Sequence, residues 1–186
     1  IKGVINSFDR GKVTMMVYAC MQVPNAVFND GGFPQGIDPM QGQAQNCGLI
    51  AALASVAWAT NKIPSRAASA SYTINFPDAA NQGTVNNNLS YDGSASPKFR
   101  FARSCSNNSE IWPGIYEKAY ARWKTGTDYC NNLDQAPVTT WPANAEGLVQ
   151  LTGCTLRNGD FSNPYSTISS RCSGTKLRVA MVAWTQ

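Results

Sequence analysis

The chain has 186 residues, with 15 Lys and Arg against 11 Asp and Glu for a net charge of +4, and it contains no histidine. Without an imidazole, the polypeptide alone excludes a Ser-His or Cys-His dyad, a His-ligated zinc and a His proton shuttle, so any mechanism uses other groups or borrows a histidine. Only 14% of residues are charged, below the roughly 25% of ordinary soluble domains, a balance that suits secretion.

The length suffices for one sizeable domain or two small ones. The chain opens at Ile1 with no charged-then-apolar leader, which points to a terminus set by processing or by design. Val13 to Val23 is an apolar, β-branched run that fits a strand or a short buried helix. Asn25 to Met40 is dense in Gly and Pro and reads as a loop of the kind that carries function. A helix is predicted from about Asn46 to Thr60: Leu49, Ile50, Leu53, Val56 and Ala57 form a stripe and the other faces are small, so it should be buried. Asn46 is placed as its N-cap, which puts Cys47 in the first turn. This longest apolar stretch, Gly48 to Ala59, is shorter than the about 20 residues of a membrane span. No membrane association is expected.

Pro64 to Pro97 reads as a loop-rich excursion with short β-like pieces such as Tyr72 to Phe76. Sequons at Asn88 and Asn107 are glycosylation candidates in polar loops. A second helix opens at Trp112-Pro113 and runs to Trp123, since Pro is favoured in a first turn. A third spans Ala143 to Leu151 and stops at Gly153. Lys176 to Gln186 reads as a strand entering a sheet. The scattered basic residues, among them Lys98, Arg100, Arg103, Lys118 and Arg122, form no clustered patch, so no nucleic acid partner is expected.

Six cysteines stand at 20, 47, 105, 130, 154 and 172, with no CxxC pair. A zinc site is disfavoured and disulfides are the plain reading, with about fifteen complete pairings open. Cys47 stands apart. In the first turn of a buried helix, free backbone N–H groups and the helix dipole favour thiolate over thiol. Gln41, six residues earlier, has an amide that could donate to an oxyanion beside the Cys47 N–H, a geometry for acyl transfer through a thioester. Spacing alone also allows, and slightly favours, Cys47 as half of a disulfide and Gln41 as a loop residue.

The stretch Gln41-Gly42-Gln43-Ala44-Gln45-Asn46-Cys47-Gly48-Leu49-Ile50-Ala51-Ala52-Leu53-Ala54-Ser55 resembles the active-site segment of calpain-type cysteine peptidases, approximately Q-G-x-x-G-D-C-[WY]-x-[LI]-A-A-[LI]-A-S. Ile111 to Ala121 resembles that family's L-W-P-x-x-x-E-K-A-Y-A helix, and Leu151-Thr152-Gly153 its L-T-G. The resemblance covers about Phe28 to the end and implies an α+β, papain-like fold: mainly the helical lobe with a buried central helix, plus the first strands of the β lobe. It implies three parts: an N-terminal segment and Gly/Pro-rich loop over 1–40, a helical nucleophile-bearing lobe over 41–150, and the start of a β-rich lobe over 151–186, completed by a second chain. Cys47 would be the nucleophile and Gln41 the oxyanion donor. The helix bearing Glu117 and Lys118 would be scaffold, with those two as structural or surface residues. Two departures stand out: Gln45-Asn46 replaces Gly-Asp, and Gly48 replaces a bulky aromatic.

The family's catalytic His lies in a G-H-A-Y-like segment, followed by Asn-x-Trp. Here Val179 to Thr185 resembles the strand leading towards it, and Gln186 comes before it is reached. The expectation is a processed heterodimer whose second chain, from the same precursor, carries the catalytic His and Asn; Cys154 or Cys172 would be the candidate interchain tether. The substrate would be a protein or peptide, the location secreted or extracellular. No cofactor is expected: calcium is common among calpains, but Asp78, Asp92, Asp128, Asp134 and Asp160 are isolated. Two other readings share the scaffold: an amidase or transamidase, and an inactive binding or defence protein.

Overall fold

The computed structural model describes residues 4–9, 12–23, 28, 33–60, 71–76, 81–96, 98–105, 110–143, 146–153, 155 and 162. They form a mixed α/β arrangement of three α-helices and small antiparallel sheets of two strands each, within the α+β class. The predicted strand from Lys176, together with Asn107, Cys154 and Cys172, lies outside the described residues.

Strands β1 (Val4–Asp9) and β2 (Lys12–Met16) make one hairpin. Strand β3 (Ala19–Gln22) pairs with β7 (Asn88–Tyr91), from Ala19 opposite Tyr91 to Gln22 opposite Asn88. The run from Val13 is thus two strand segments rather than a helix. Two-residue strands β4 (Pro39–Met40) and β8 (Arg103–Ser104) pair beside the loop that leads to helix α1 (Cys47–Thr60). Strands β5 (Ser71–Phe76) and β6 (Asn81–Asn86) form a second hairpin.

The segment read as a loop-rich excursion therefore contains three strands, which corrects that expectation. Tyr72, Ile74 and Phe76 alternate inwards on β5, the period-2 pattern of a half-buried strand. Asn88 opens a paired strand instead of sitting in a polar loop, and Ser90 of the same sequon is buried, its Oγ donating to Asn131.

Helix α1 is buried along Leu49, Ile50, Ala52, Leu53, Ser55, Val56 and Ala57. It packs on helix α3 (Glu146–Thr152), on β4 and on helix α2 (Trp112–Thr125). Trp58, 54% exposed, is the exception among its large side chains. Helix α2 is the more enclosed of the two: every residue from Trp112 to Ala121 is buried, because α2 touches β5, β6 and β8 as well as α1. It runs two residues past the predicted end. Gly126, at φ 73°, caps it by donating its N–H to Arg122 O, a left-handed stop that glycine adopts without strain.

Helix α3 starts later than predicted. The Ala143 N–H donates to Glu146 Oε2 at 3.3 Å and the Glu146 N–H to Ala143 O at 3.0 Å, a reciprocal arrangement that leaves Ala143 outside the first turn.

One aromatic cluster holds the far side of α2. Phe76 stacks on Trp123 at 4.6 Å and meets Tyr120 edge-on at 5.6 Å, while Tyr120 stacks on Trp141 at 6.1 Å. The Tyr120 hydroxyl donates to Gln150 Oε1 and so ties α2 to α3. A disulfide, Cys20–Cys130, fastens β3 to the segment after α2. No helix among the described residues is long and apolar enough to cross a membrane.

Candidate functional site

The segment from Asp38 to Cys47 is held from both sides before it enters α1. Asp38 is buried and accepts from Gln35 N–H at 2.7 Å and from the Trp112 indole at 3.1 Å, and its carbonyl takes the Cys105 N–H at 2.7 Å. The β4–β8 pairing follows, and then the Gln43 N–H donates to Arg100 O at 3.1 Å. The Arg100 guanidinium closes the other side. It donates to Gln43 Oε1 at 2.8 Å, to Asn131 O at 2.5 Å and to Asp134 Oδ2 at 2.8 Å. Being only 8% exposed, this fork is shielded from the solvent that weakens surface ion pairs.

Between these anchors lies Gly42. A Cβ there would fall 2.5 Å from Arg100 O and closer still to the Phe101 backbone, so only glycine permits this approach of the two segments. Ala44 is buried, and the Gln41 side chain donates from Nε2 to Ala44 O at 2.7 Å. Gln41 itself is exposed. Its amide is therefore oriented by the loop on which it sits.

Cys47 is the first residue of α1, and its thiol is free and exposed. No acidic residue of α1 itself lies in that first turn. Asn46 occupies the capping position, but its side chain does not cap, a correction to the expected role. The Asn46 carbonyl accepts from Leu49 and Ile50 N–H at 2.9 and 3.1 Å. Its Nδ2 instead donates to Glu117 Oε1 at 2.5 Å, and its Oδ1 is buried with no hydrogen-bond partner among the described residues.

Glu117 was expected to be structural or on the surface; it is fully buried, and so, nearly, is Lys118. Glu117 Oε2 accepts the Ala102 N–H at 2.8 Å. Burial pushes its carboxyl up to about 7, against the Ala102 and Asn46 hydrogen bonds and the Arg103 charge, which lower it. Lys118 donates to Asn86 Oδ1 at 2.7 Å and Asn88 O at 3.1 Å and pairs with Asp128 at 3.3 Å. Burial lowers its pKa despite Asp128. Both residues line a small cavity with Leu89, Tyr129 and Leu133.

The structure thus brings Gln41 and Cys47 onto one short, anchored loop-to-helix junction, and it adds Arg100, Asn46 and Glu117 as the groups that hold it. Sequence reasoning passed over Glu117 although a signal was present. On α2 it shares a face with Gly114 and Ala121, small residues that mark close packing on the side where a surface glutamate would not be expected.

Cys105 is a second free and exposed thiol. Among the described residues no group of three or more His, Cys, Asp or Glu could hold a metal ion. No family model matches the chain, and no curated protein matches it.

Proposed function

We propose that this chain is the nucleophile-bearing part of a papain-like, calpain-type cysteine peptidase that acts outside the cell, its catalytic His and Asn supplied by a second chain. One observation carries the reading: a free, exposed thiol on the first residue of a buried helix, reached through a loop whose Gln41 amide is already oriented. A helix N-terminus favours the thiolate, and the thiolate is the nucleophile.

The Cys47 thiolate attacks the peptide carbonyl carbon, and the C–N bond breaks as the partner's imidazolium protonates the leaving amine. Water, deprotonated by the same imidazole, then hydrolyses the thioester, releasing the carboxylate and restoring the thiol. An amide carries two N–H donors; one of those on Gln41 is spent on Ala44, and the second serves the oxyanion beside the Cys47 N–H.

The test is labelling and turnover in the intact assembly. A peptidyl thiol-directed electrophile should modify Cys47 at neutral pH, and Cys47→Ala should abolish both labelling and peptide cleavage. Loss of Gln41 as Gln41→Ala should lower turnover about ten- to a thousandfold. No cleavage by an assembly that contains a His-bearing chain, with Cys47 unlabelled, would refute the proposal in favour of an inactive binding protein. Amide transfer to added amines without net hydrolysis would reassign the reaction.

A further inference from the structure

Resting on the reading of Cys47 as the nucleophile, we infer that Glu117 is a positioning residue, acting through Asn46 to fix the backbone turn that presents the thiol. The contacts run without a gap. Glu117 leaves the middle of α2, the most enclosed helix, and its two oxygens accept from Asn46 Nδ2 and from the Ala102 N–H. Asn46 is the residue before Cys47, and its carbonyl receives the first two hydrogen bonds of α1. One carboxylate therefore joins three parts of the chain: α2, the segment before β8 that Gly42 lies against, and the start of the nucleophile helix.

Nothing in the packing alone requires a carboxylate here. An apolar residue in this place would avoid the desolvation of a buried charge. An ionised carboxylate, however, accepts both N–H groups through charge-assisted bonds, which are shorter and roughly twice as strong as neutral ones. Protonation turns one oxygen into a donor facing the donors it used to accept from, and the clasp loosens.

Among the described residues, the charged and titratable groups about Glu117 are few. Arg103 on β8 draws its pKa down. Lys118 and Tyr129 line the same cavity, and Lys118 is already engaged with Asp128. Arg100 is committed to Asp134, and Cys47 of α1 follows Asn46 in the chain. With Glu117 titrating at about 7, the state of the clasp changes within the neutral range.

The experiment is alkylation of the whole chain by iodoacetamide between about pH 5 and 9, with modification at each thiol followed by mass spectrometry. Cys47 should show two ionisations, its own and one near neutrality, with a rate change of about threefold or more across the second. Cys105, exposed in the same chain, should show a single one. Glu117→Gln should remove the extra inflection from Cys47 and leave Cys105 as it was. Identical Cys47 profiles in both proteins, or a single ionisation in the unaltered chain, would overturn the inference.

Should Glu117→Gln fail to fold, Asn46→Asp supplies the second arm. It sets two carboxyls within hydrogen-bond reach, so that they share a proton and the inflection moves to higher pH. No movement refutes the clasp. A normal clasp profile in an assembly that cleaves no peptide sinks the peptidase reading alone; a cleaving assembly whose profile ignores Glu117 sinks the clasp alone.

Discussion

Gly42→Ala adds one methyl group at the tightest place in the candidate site. The new Cβ would stand 2.5 Å from Arg100 O and nearer to the Phe101 backbone, whereas non-bonded carbon contacts settle at about 3.5–4.0 Å. A separation of about 1 Å must therefore open between the loop and the Arg100–Phe101 backbone. The Arg100 to Ala102 side cannot yield cheaply: Arg100 N–H is bonded to Ser90 O at 2.9 Å and Ala102 N–H to buried Glu117. The loop moves instead and gives up the bond from Gln43 N–H to Arg100 O.

That lost bond costs about 1 kcal/mol, and the overpacking about 1–3 kcal/mol more. The expected destabilisation is then about 2–4 kcal/mol, read from the urea midpoint at unchanged slope. The displacement is uneven, because α1 is seated in the core from Leu49 onwards while Gln41 is on the exposed arm of the loop. Alkylation of Cys47 should stay within about twofold of normal, whereas turnover in the proposed two-chain assembly should fall about a hundredfold, as a shift of about 1 Å in a positioned group does. Gln43→Ala, which removes the side-chain bond to Arg100 and adds no clash, should cost only about 1 kcal/mol. If Gly42→Ala matched the parent's stability to within about 0.5 kcal/mol, the close approach, and with it the anchoring of Gln41, would be refuted.

Phe76→Ala should cost about 3–5 kcal/mol in urea melts, since Phe76 touches both Tyr120 and Trp123; a loss below about 1 kcal/mol would dismiss the cluster as a source of stability. Arg100→Met should lose about 2–4 kcal/mol, and Arg100→Lys should recover little of it, because an ammonium cannot reproduce a three-way fork to Gln43, Asn131 and Asp134; full rescue by lysine in the same melts would contradict the geometry. Reducing Cys20–Cys130, which closes a separation of 110 residues, should lower stability by about 4–5 kcal/mol on the chain-entropy account, measured by melts with and without reductant. Glu117 gives a pH dependence of definite sign. Its folded value of about 7 lies above the ordinary 4.5, so the folded chain holds a proton the unfolded chain lacks, and stability falls as pH rises from about 4.5 to 7 by up to about 3 kcal/mol. Glu117→Gln should remove that slope, and parallel stability curves for the two proteins would negate it.

Helices α1 and α2 were legible in the sequence because burial on nearly every side requires apolar or small residues at nearly every position, as Leu49 to Ala57 display. The β5–β6 hairpin was only half legible, for a physical reason. On β5 the inward residues are Tyr72, Ile74 and Phe76, but on β6 the inward position 83 is glycine. A Cβ there would stand 3.1 Å from Ala119 Cα and closer still to its carbonyl. The helix packs so tightly that its presence erases the hydrophobic signal of the strand beneath it. The same holds at the site: the Gln41 to Cys47 spacing is local and can be read along the chain, whereas Glu117 reaches Asn46 across 71 positions, and no local pattern carries that pairing.

The pairing also gives a physical setting to the departure at position 46. In the peptidase pattern that this segment resembles, the residue before the cysteine is Asp; here it is Asn, and it faces a buried carboxylate. An Asp there would leave two acids to share one proton, pushing one pKa strongly upwards. An amide meets the same carboxylate as a donor, so Glu117 can ionise without an opposing charge on its neighbour. Asparagine is thus the residue type that lets a buried acid in α2 ionise in the neutral range and, once ionised, hold the turn that precedes Cys47. The orphaned Oδ1 is the cost of that choice, since the side chain that grips Glu117 cannot also cap α1. The Asn46 carbonyl, receiving both Leu49 and Ile50 N–H, performs the capping in its place.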